Sequence, residues 1–383
     1  MGSCLKNLPK KVKGIISILS ATVFCVFCLS ACSFSQKTGV CYLGSFLSAD
    51  VILYLSESVD NSVYERVERE CKNAVSEAEA ALSTKVADSD VSRFNALSFG
   101  ERTAISKTTK RLIESAKNLY SITGGAFDPA TYALVDLWGF SSRFDEFYTP
   151  TKPYDRQKNT DGSFPLPDRS FVEAFKELTD FSLVEIVEEG GATYLKKNCP
   201  SVTVGGTVYT QQIDLSGIAK GYLSDALKTI ILSAGIKDFY LSLGTSSLYL
   251  GSKNGEAWNT ELVDPSGRGR SAFASIPLLN KSVSTSGTYE HSYTLNGKKY
   301  HHIIDAESGA PSDTDLLSAV VIGGDGEYAD ALSTALVVLG SEKALEFIAG
   351  NTDYDFVLLT DGGKVYSTVE LTLINKEYEL IDV

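Results

Sequence analysis

The chain has 383 residues, with 35 Lys and Arg against 48 Asp and Glu and a formal net charge of −13. Such acidity argues against a nucleic-acid partner, because phosphates are repelled. The length is compatible with one large domain or two.

The N-terminus reads as an export signal. Lys6, Lys10, Lys11 and Lys13 form a basic start, an apolar run covers Gly14 to Leu29, and small residues follow. Cys32, directly after Leu29-Ser-Ala, resembles the lipidated cysteine of a bacterial lipobox. The other reading, a single membrane helix, meets an apolar run that is short for a span. Removal of residues 1–31, which hold four Lys and no acid, leaves 352 residues and takes the charge from −13 to −17. Lipid, palmitate included, on Cys32 tethers the rest to a membrane surface. Residues 32–42 read as a tether, polar over Gln36 to Gly39, and residues 43–383 as the folded domain. Of seven Cys, Cys41, Cys71 and Cys199 remain beyond the signal, at no metal-like spacing. An extracytoplasmic disulfide among them has no pairing that the sequence selects.

Val51–Leu55 reads as a strand. Val63, Val67, Cys71, Val75, Ala78 and Leu82 recur at helical spacing, and Leu112, Ile113, Ala116, Leu119 and Tyr120 form the stripe of a second helix over 107–123 that stops at Gly124-Gly125. Residues 141–169 hold four of ten prolines and read as a surface insertion. A short helix over 171–179 follows, then strands over 183–187, 193–196, 201–204 and 209–214. A helix covers 219–234, with strands over 239–243, 246–250, 258–263 and 272–277. Asn296-Gly297 is the two-residue turn of a hairpin over 293–300. A strand over 317–323 leads to a helix ending at Gly340, another helix over 342–349, and strands over 356–359, 365–367 and 371–374. The mixture reads as α+β, with mixed sheets, flanking helices and no simple βαβ order.

Three segments could carry chemistry. The chain has three His: His291, His301 and His302. In a strand the adjacent pair points to opposite faces, so one at most faces a given site; the pair also reads as a surface feature. "IDLSGIAKGY" turns a strand into a helix, where Ser216 can cap and Gly217 permits a close approach; Asp214 also reads as a surface acid. "TGGAFDPA" is a glycine turn suited to a flat ligand, and equally a helix stop.

Together "TGGAFDPA" with "LWGF", "IDLSGIAKGY", "SVSTSGTYE", "HHIIDAESG" and "EYADALSTALVVLG" resemble, in order and spacing, the FAD:protein FMN transferases, the ApbE-type flavin transferases, over roughly residues 43 to 375. The resemblance implies their T-fold-like architecture and a reaction: Mg2+-dependent transfer of FMN from FAD to a Thr or Ser hydroxyl of a client flavoprotein, through a phosphoester bond, with release of AMP. It also implies residue roles. Asp330 and Thr334, four apart on one helical face, and the Gly217 carbonyl fall on the metal ligands. His302 falls on the catalytic base, and Ala126, Phe127, Asp128, Asp214, Lys220 and Ile304 fall on FAD contacts. Lys85 stands where many members carry an aromatic FAD contact. Two further departures are Gly244-Thr245-Ser246, in place of Gly-Gly-Asn/Asp, and Ala306 after "HIID". Clients of the extracytoplasmic electron-transfer type are implied, as is a lipid-anchored location on the bacterial cell membrane, facing periplasm or exterior. Two other functions fit the same motifs: an FAD pyrophosphatase giving FMN and AMP, and a non-catalytic FAD-binding lipoprotein.

Overall fold

The computed structural model describes residues 36–141, 166–266 and 271–383. Cys32, the signal and nearly all of the 141–169 insertion lie outside the described residues. The frame is a nine-stranded sheet whose spatial order follows the chain. Its strands are β1 (Gln36–Phe46), β2 (Ala49–Asp60), β3 (Phe239–Leu243), β4 (Ser247–Leu250), β5 (Lys281–Gly287), β6 (Leu316–Gly323), β7 (Asp355–Thr360), β8 (Lys364–Ser367) and β9 (Glu379–Asp382). All neighbours are antiparallel except β8 and β9.

Period-2 alternation gives this sheet two buried faces. In β6, Ala319 and Val321 join the main core while Val320 and Ile322 join a second cluster on the other side. The second cluster is closed by a small sheet of strands 258–263, 272–278 and 372–373. The helices are α1 (Asn61–Leu82), α2 (Asp90–Asn95), α3 (Lys107–Ile122), α4 (Tyr132–Leu137), α5 (Arg169–Lys176), α6 (Ser216–Ser233) and α7 (Gly326–Ala349); α4 and α5 pack together in a third cluster, and the others pack on the first face. The stripe foreseen for α1 is the one it buries, and Asp60 caps it by accepting the Ser62 amide at 2.9 Å. α7 is interrupted at Gly340, whose φ of 72° is non-helical, so its two arms are the two expected helices joined at that glycine.

Several expectations need correction. Gln36–Gly39 is not a tether; residues 36–46 form β1, because β2 supplies an edge for pairing. Residues 210–214 are not strand, since the chain leaves the short 202–204/207–209 hairpin at Tyr209. α6 starts at Ser216, three residues early, and its end amide is satisfied by Asp214 rather than by a Ser216 cap. β5 and β9 went unread. Among the described residues no disulfide forms, and Cys41, Cys71 and Cys199 are buried thiols. No helix among those residues is long and apolar enough to cross a membrane.

Candidate active site at the crossing of two helices

α6 and α7 cross at a pair of glycines. A Cβ on Gly221 would lie 1.9 Å from the Gly326 carbonyl oxygen, so no larger residue fits there without moving backbone. Asp225, one turn further along α6, accepts the Gly326 and Glu327 amides at 2.7 and 3.0 Å and so caps α7 from outside. This register brings Asp330 beside the first turns of α6.

Asp330 is buried. Its Oδ2 accepts the Gly221 amide at 3.0 Å and its Oδ1 accepts the Ser247 hydroxyl of β4 at 3.0 Å. Regular helix geometry pairs the Gly221 amide with the Gly217 carbonyl. The bond to Asp330 competes for that donor and leaves the carbonyl more open. Thr334, one turn beyond, has its hydroxyl 3.1 Å from the Ser286 hydroxyl of β5. Gly217 faces the same spot: a Cβ on it would meet the Thr334 hydroxyl at 3.6 Å and the Phe127 ring at 3.2 Å. Carboxylate, hydroxyl and carbonyl form an all-oxygen set, the chemistry a hard divalent cation prefers. The carboxylate is held by the Gly221 amide and the Ser247 hydroxyl, with the Lys220 backbone as a further donor. The residues present therefore fit Mg2+. Among the described residues no group of three His, Cys, Asp or Glu could hold a metal, so a softer, nitrogen- or sulfur-bound ion is not what this set offers.

Charge is concentrated at the same place. Burial raises the Asp330 carboxyl, and Lys220 with the Gly221 amide opposes that rise. Burial also raises Asp214, which accepts the Ser216 amide and hydroxyl, each at 2.9 Å. The Lys220 charge favours the ionised form of Asp214 and Asp330 and disfavours the protonated form of His302.

The two adjacent histidines separate as alternation requires. His301 ends a hairpin strand, is buried, and bonds the Ser312 carbonyl through Nε2 at 3.1 Å. His302 turns the other way and has Nδ1 3.1 Å from the Glu290 carbonyl. A carbonyl only accepts, so Nδ1 carries the proton and Nε2 keeps its lone pair. Burial, reinforced by His291, His301 and Lys220, lowers His302 to about 3. It is therefore neutral near pH 7, the state in which it can take a proton. The strand Lys298–His301 stops at His301, and Ile304–Asp305 forms a separate two-residue strand paired with 310–311.

The glycine turn joins this site through backbone. The Asp214 amide donates to the Pro129 carbonyl at 2.9 Å. Asp128 accepts the Ala130 and Asp180 amides at 2.7 and 3.2 Å, and burial pushes its carboxyl up to about 6. Phe127 is buried against Gly217, and Ala126 packs half-buried on the main core. Ile304 is buried with Leu134, Leu137 and Trp138 in a third, peripheral cluster.

Lys85 stands apart. It is exposed, and its ammonium donates to Ser48 at the β1–β2 turn at 2.7 Å. Its neighbour Thr84 lines a cavity of about 190 Å3 with Ser92, Asn95, Ala96, Tyr132 and Gln212. Asn95 fixes the wall between that cavity and the α6 junction. It donates to the Ile213 carbonyl at 2.9 Å and accepts the Ile213 amide at 2.8 Å. A larger depression of about 620 Å3, lined by residues such as Glu101, Arg102 and Lys196, contains none of the site residues.

Asn95, Asp225, Ser247, Ser286 and Glu290 were not foreseen as parts of the site. Ser286 and Glu290 sit inside "SVSTSGTYE", and Ser247 follows the divergent Gly244-Thr245-Ser246. Asn95 and Asp225 carry no local signal.

Known proteins resemble this chain over most of its length. The ApbE family profile matches residues 45–358. The FAD:protein FMN transferase of Salmonella typhimurium is 28% identical over 282 residues, 73% of each chain. That of Treponema pallidum is 30% identical over 276 residues, 70% of this chain and 69% of the relative. The apo crystal structure of the Pseudomonas stutzeri flavinyl transferase ApbE superposes with a TM-score of 0.66 at 25% identity, covering 86% of this chain and 93% of that one. The chain is a member of the ApbE family of flavin transferases.

Proposed function

We propose that this protein transfers the FMN moiety of FAD, with Mg2+, to a Thr or Ser hydroxyl of a client flavoprotein and releases AMP. The observation that carries this reading is the placement of the Asp330 carboxylate, the Thr334 hydroxyl and Gly217 together at the α6–α7 crossing, beside a histidine whose Nδ1 is bonded and whose Nε2 keeps its lone pair. When bound, Mg2+ would neutralise the pyrophosphate and the charge that builds on the leaving AMP. Asp330, Thr334 and the Gly217 carbonyl would hold it. His302 Nε2 takes the proton of the acceptor hydroxyl as its oxygen bonds the FMN phosphorus and the bond from that phosphorus to AMP breaks. Lys220 balances negative charge at the junction, and Phe127 beside Gly217 offers an apolar wall. Lipidation of Cys32 would hold the protein at the outer face of the bacterial cell membrane, where extracytoplasmic electron-transfer flavoproteins would be its clients. This part of the reading rests on the N-terminal sequence alone.

The test uses FAD, Mg2+ and an acceptor protein labelled by the Salmonella typhimurium relative, with in-gel flavin fluorescence and AMP measured together. The reading expects fluorescence on the acceptor in step with AMP. Free FMN and AMP with a dark acceptor would instead make the protein an FAD pyrophosphatase. Binding without AMP would make it a carrier.

A further inference from the structure

His291 has no role in the reading above, yet it is the side chain set against the proposed base. The turn 289–291 is held at two points. The Glu290 carbonyl accepts from His302 Nδ1, and the Glu290 carboxylate accepts from the Thr245 hydroxyl at 2.9 Å. With Glu290 pinned, the next residue turns into the left-handed region at φ 39°, a conformation unfavourable for a non-glycine residue. The result is an edge-to-face contact between the His291 and His302 rings, with centroids 5.4 Å apart and planes at 74°. His291 is exposed while His302 is half-buried, so the outer ring lies open to solvent and the inner one packs beneath it.

We propose that His291 is a positioning and charge-setting residue for His302: its ring edge fixes the plane of the base, and its protonation switches the base off as pH falls. The inference rests on His302 being that base. In the transfer step the acceptor proton arrives on His302 Nε2 and makes an imidazolium. A neutral His291 leaves that charge unopposed, while a protonated one sets a second cation against it. The other groups facing His302 are Glu290, by its carbonyl, the preceding His301 and Lys220 from α6. The Glu290 carboxylate is committed to Thr245, and His301 is buried on the Ser312 carbonyl. His291 is the exposed member of the set, placed to report solvent pH to the base.

The experiment compares FMN transfer to the same acceptor across roughly pH 5 to 8, where imidazoles titrate, for wild type, His291→Ala, His291→Phe and His302→Ala. His291→Ala should lower the plateau rate roughly tenfold, part of the 10²–10⁴ that general-base catalysis supplies, with the KM for FAD unchanged. His291→Phe, which restores a ring edge without a charge, should recover most of that loss and carry one fewer ionisation on its acid limb. A wild-type plateau and acid limb in both His291 variants, with His302→Ala inactive, overturns the inference and leaves the base assignment standing. An active His302→Ala overturns the base assignment and the inference with it. Should His291→Ala fail to fold, the acid limb of His291→Phe alone decides.

Discussion

The amide of Gly221 donates to Asp330 across the α6–α7 crossing at 3.0 Å. That one bond joins the helix carrying the Gly217 carbonyl to the helix carrying Asp330 and Thr334. The geometry of the oxygen set is thus a property of how two helices seat on each other. Asp225 holds that seating from one side and the Gly221–Gly326 contact from the other.

Loosening the seat should weaken the cation site without touching a ligand. Asp225→Ala removes both acceptor bonds at the start of α7, a loss of roughly 1–3 kcal/mol. The expected outcome is a lower Tm together with a several-fold higher Mg2+ requirement for AMP release. Gly221→Ala drives a methyl into the Gly326 carbonyl and should cost about 3 kcal/mol or more. Melts with and without Mg2+ check both. An unaltered Mg2+ requirement in a destabilised Asp225→Ala would separate the seat from the site.

The histidine pair gives a clean contrast. His302→Ala should abolish transfer while FAD still binds, because only His302 has a free Nε2 on the site side. His301→Ala should retain activity and lose stability, since it breaks the buried contact to Ser312. Labelling rates and FAD titrations decide. The assignment is wrong if His301→Ala is the inactive variant.

Lys85 and Asn95 should differ in the same way. Lys85→Ala frees an exposed side chain from Ser48, so the KM for FAD should change by less than about threefold, the scale of a weak exposed contact. Asn95→Leu leaves the Ile213 amide and carbonyl unpaired beside the cavity, which costs roughly 1–3 kcal/mol. It should raise that KM and lower Tm. A large FAD effect from Lys85→Ala would place its amine in the site after all.

Asp128 supplies a pH signature. Burial raises its carboxyl to about 6, above the ordinary value near 4. Between those two pH values the folded state binds more protons than the unfolded one, so this group's contribution to stability falls as pH rises through that window. Asp128→Asn should flatten the dependence of Tm on pH there and raise Tm at pH 7 relative to wild type. An unchanged pH dependence of Tm would show that Asp128 titrates normally.

What was legible in the sequence was whatever repeats or punctuates. The stripe of α1, the Asn296-Gly297 hairpin and the stop at Gly340 are written in spacing and in glycine. β1 was misread because a polar strand at the edge of a sheet looks like a tether until its partner is known. β5, "KSVSTSG", lacks the apolar alternation of a half-buried strand: its serines face α7, and Ser286 reaches Thr334. Asp330 and Thr334 were visible as an i, i+4 pair. Ser247, Asn95 and Asp225 were not, because each acts across at least 80 residues of chain. Lys85 was read from its place in a motif, and its contact with Ser48 37 residues away carried no local signal.

The central claim is that Asp330, Thr334 and the Gly217 carbonyl hold the Mg2+ on which cleavage of FAD depends. The most direct measurement is AMP release from FAD as a function of Mg2+ for wild type, Thr334→Val and Asp330→Ala, each beside a thermal melt. Wild type should saturate at low Mg2+. Thr334→Val should lose less, because it gives up one neutral oxygen. Asp330→Ala should collapse and recover in part only at high Mg2+, with its fold intact, since the carboxylate is the one charged ligand of the set. Full turnover by Asp330→Ala at low Mg2+ would contradict the account.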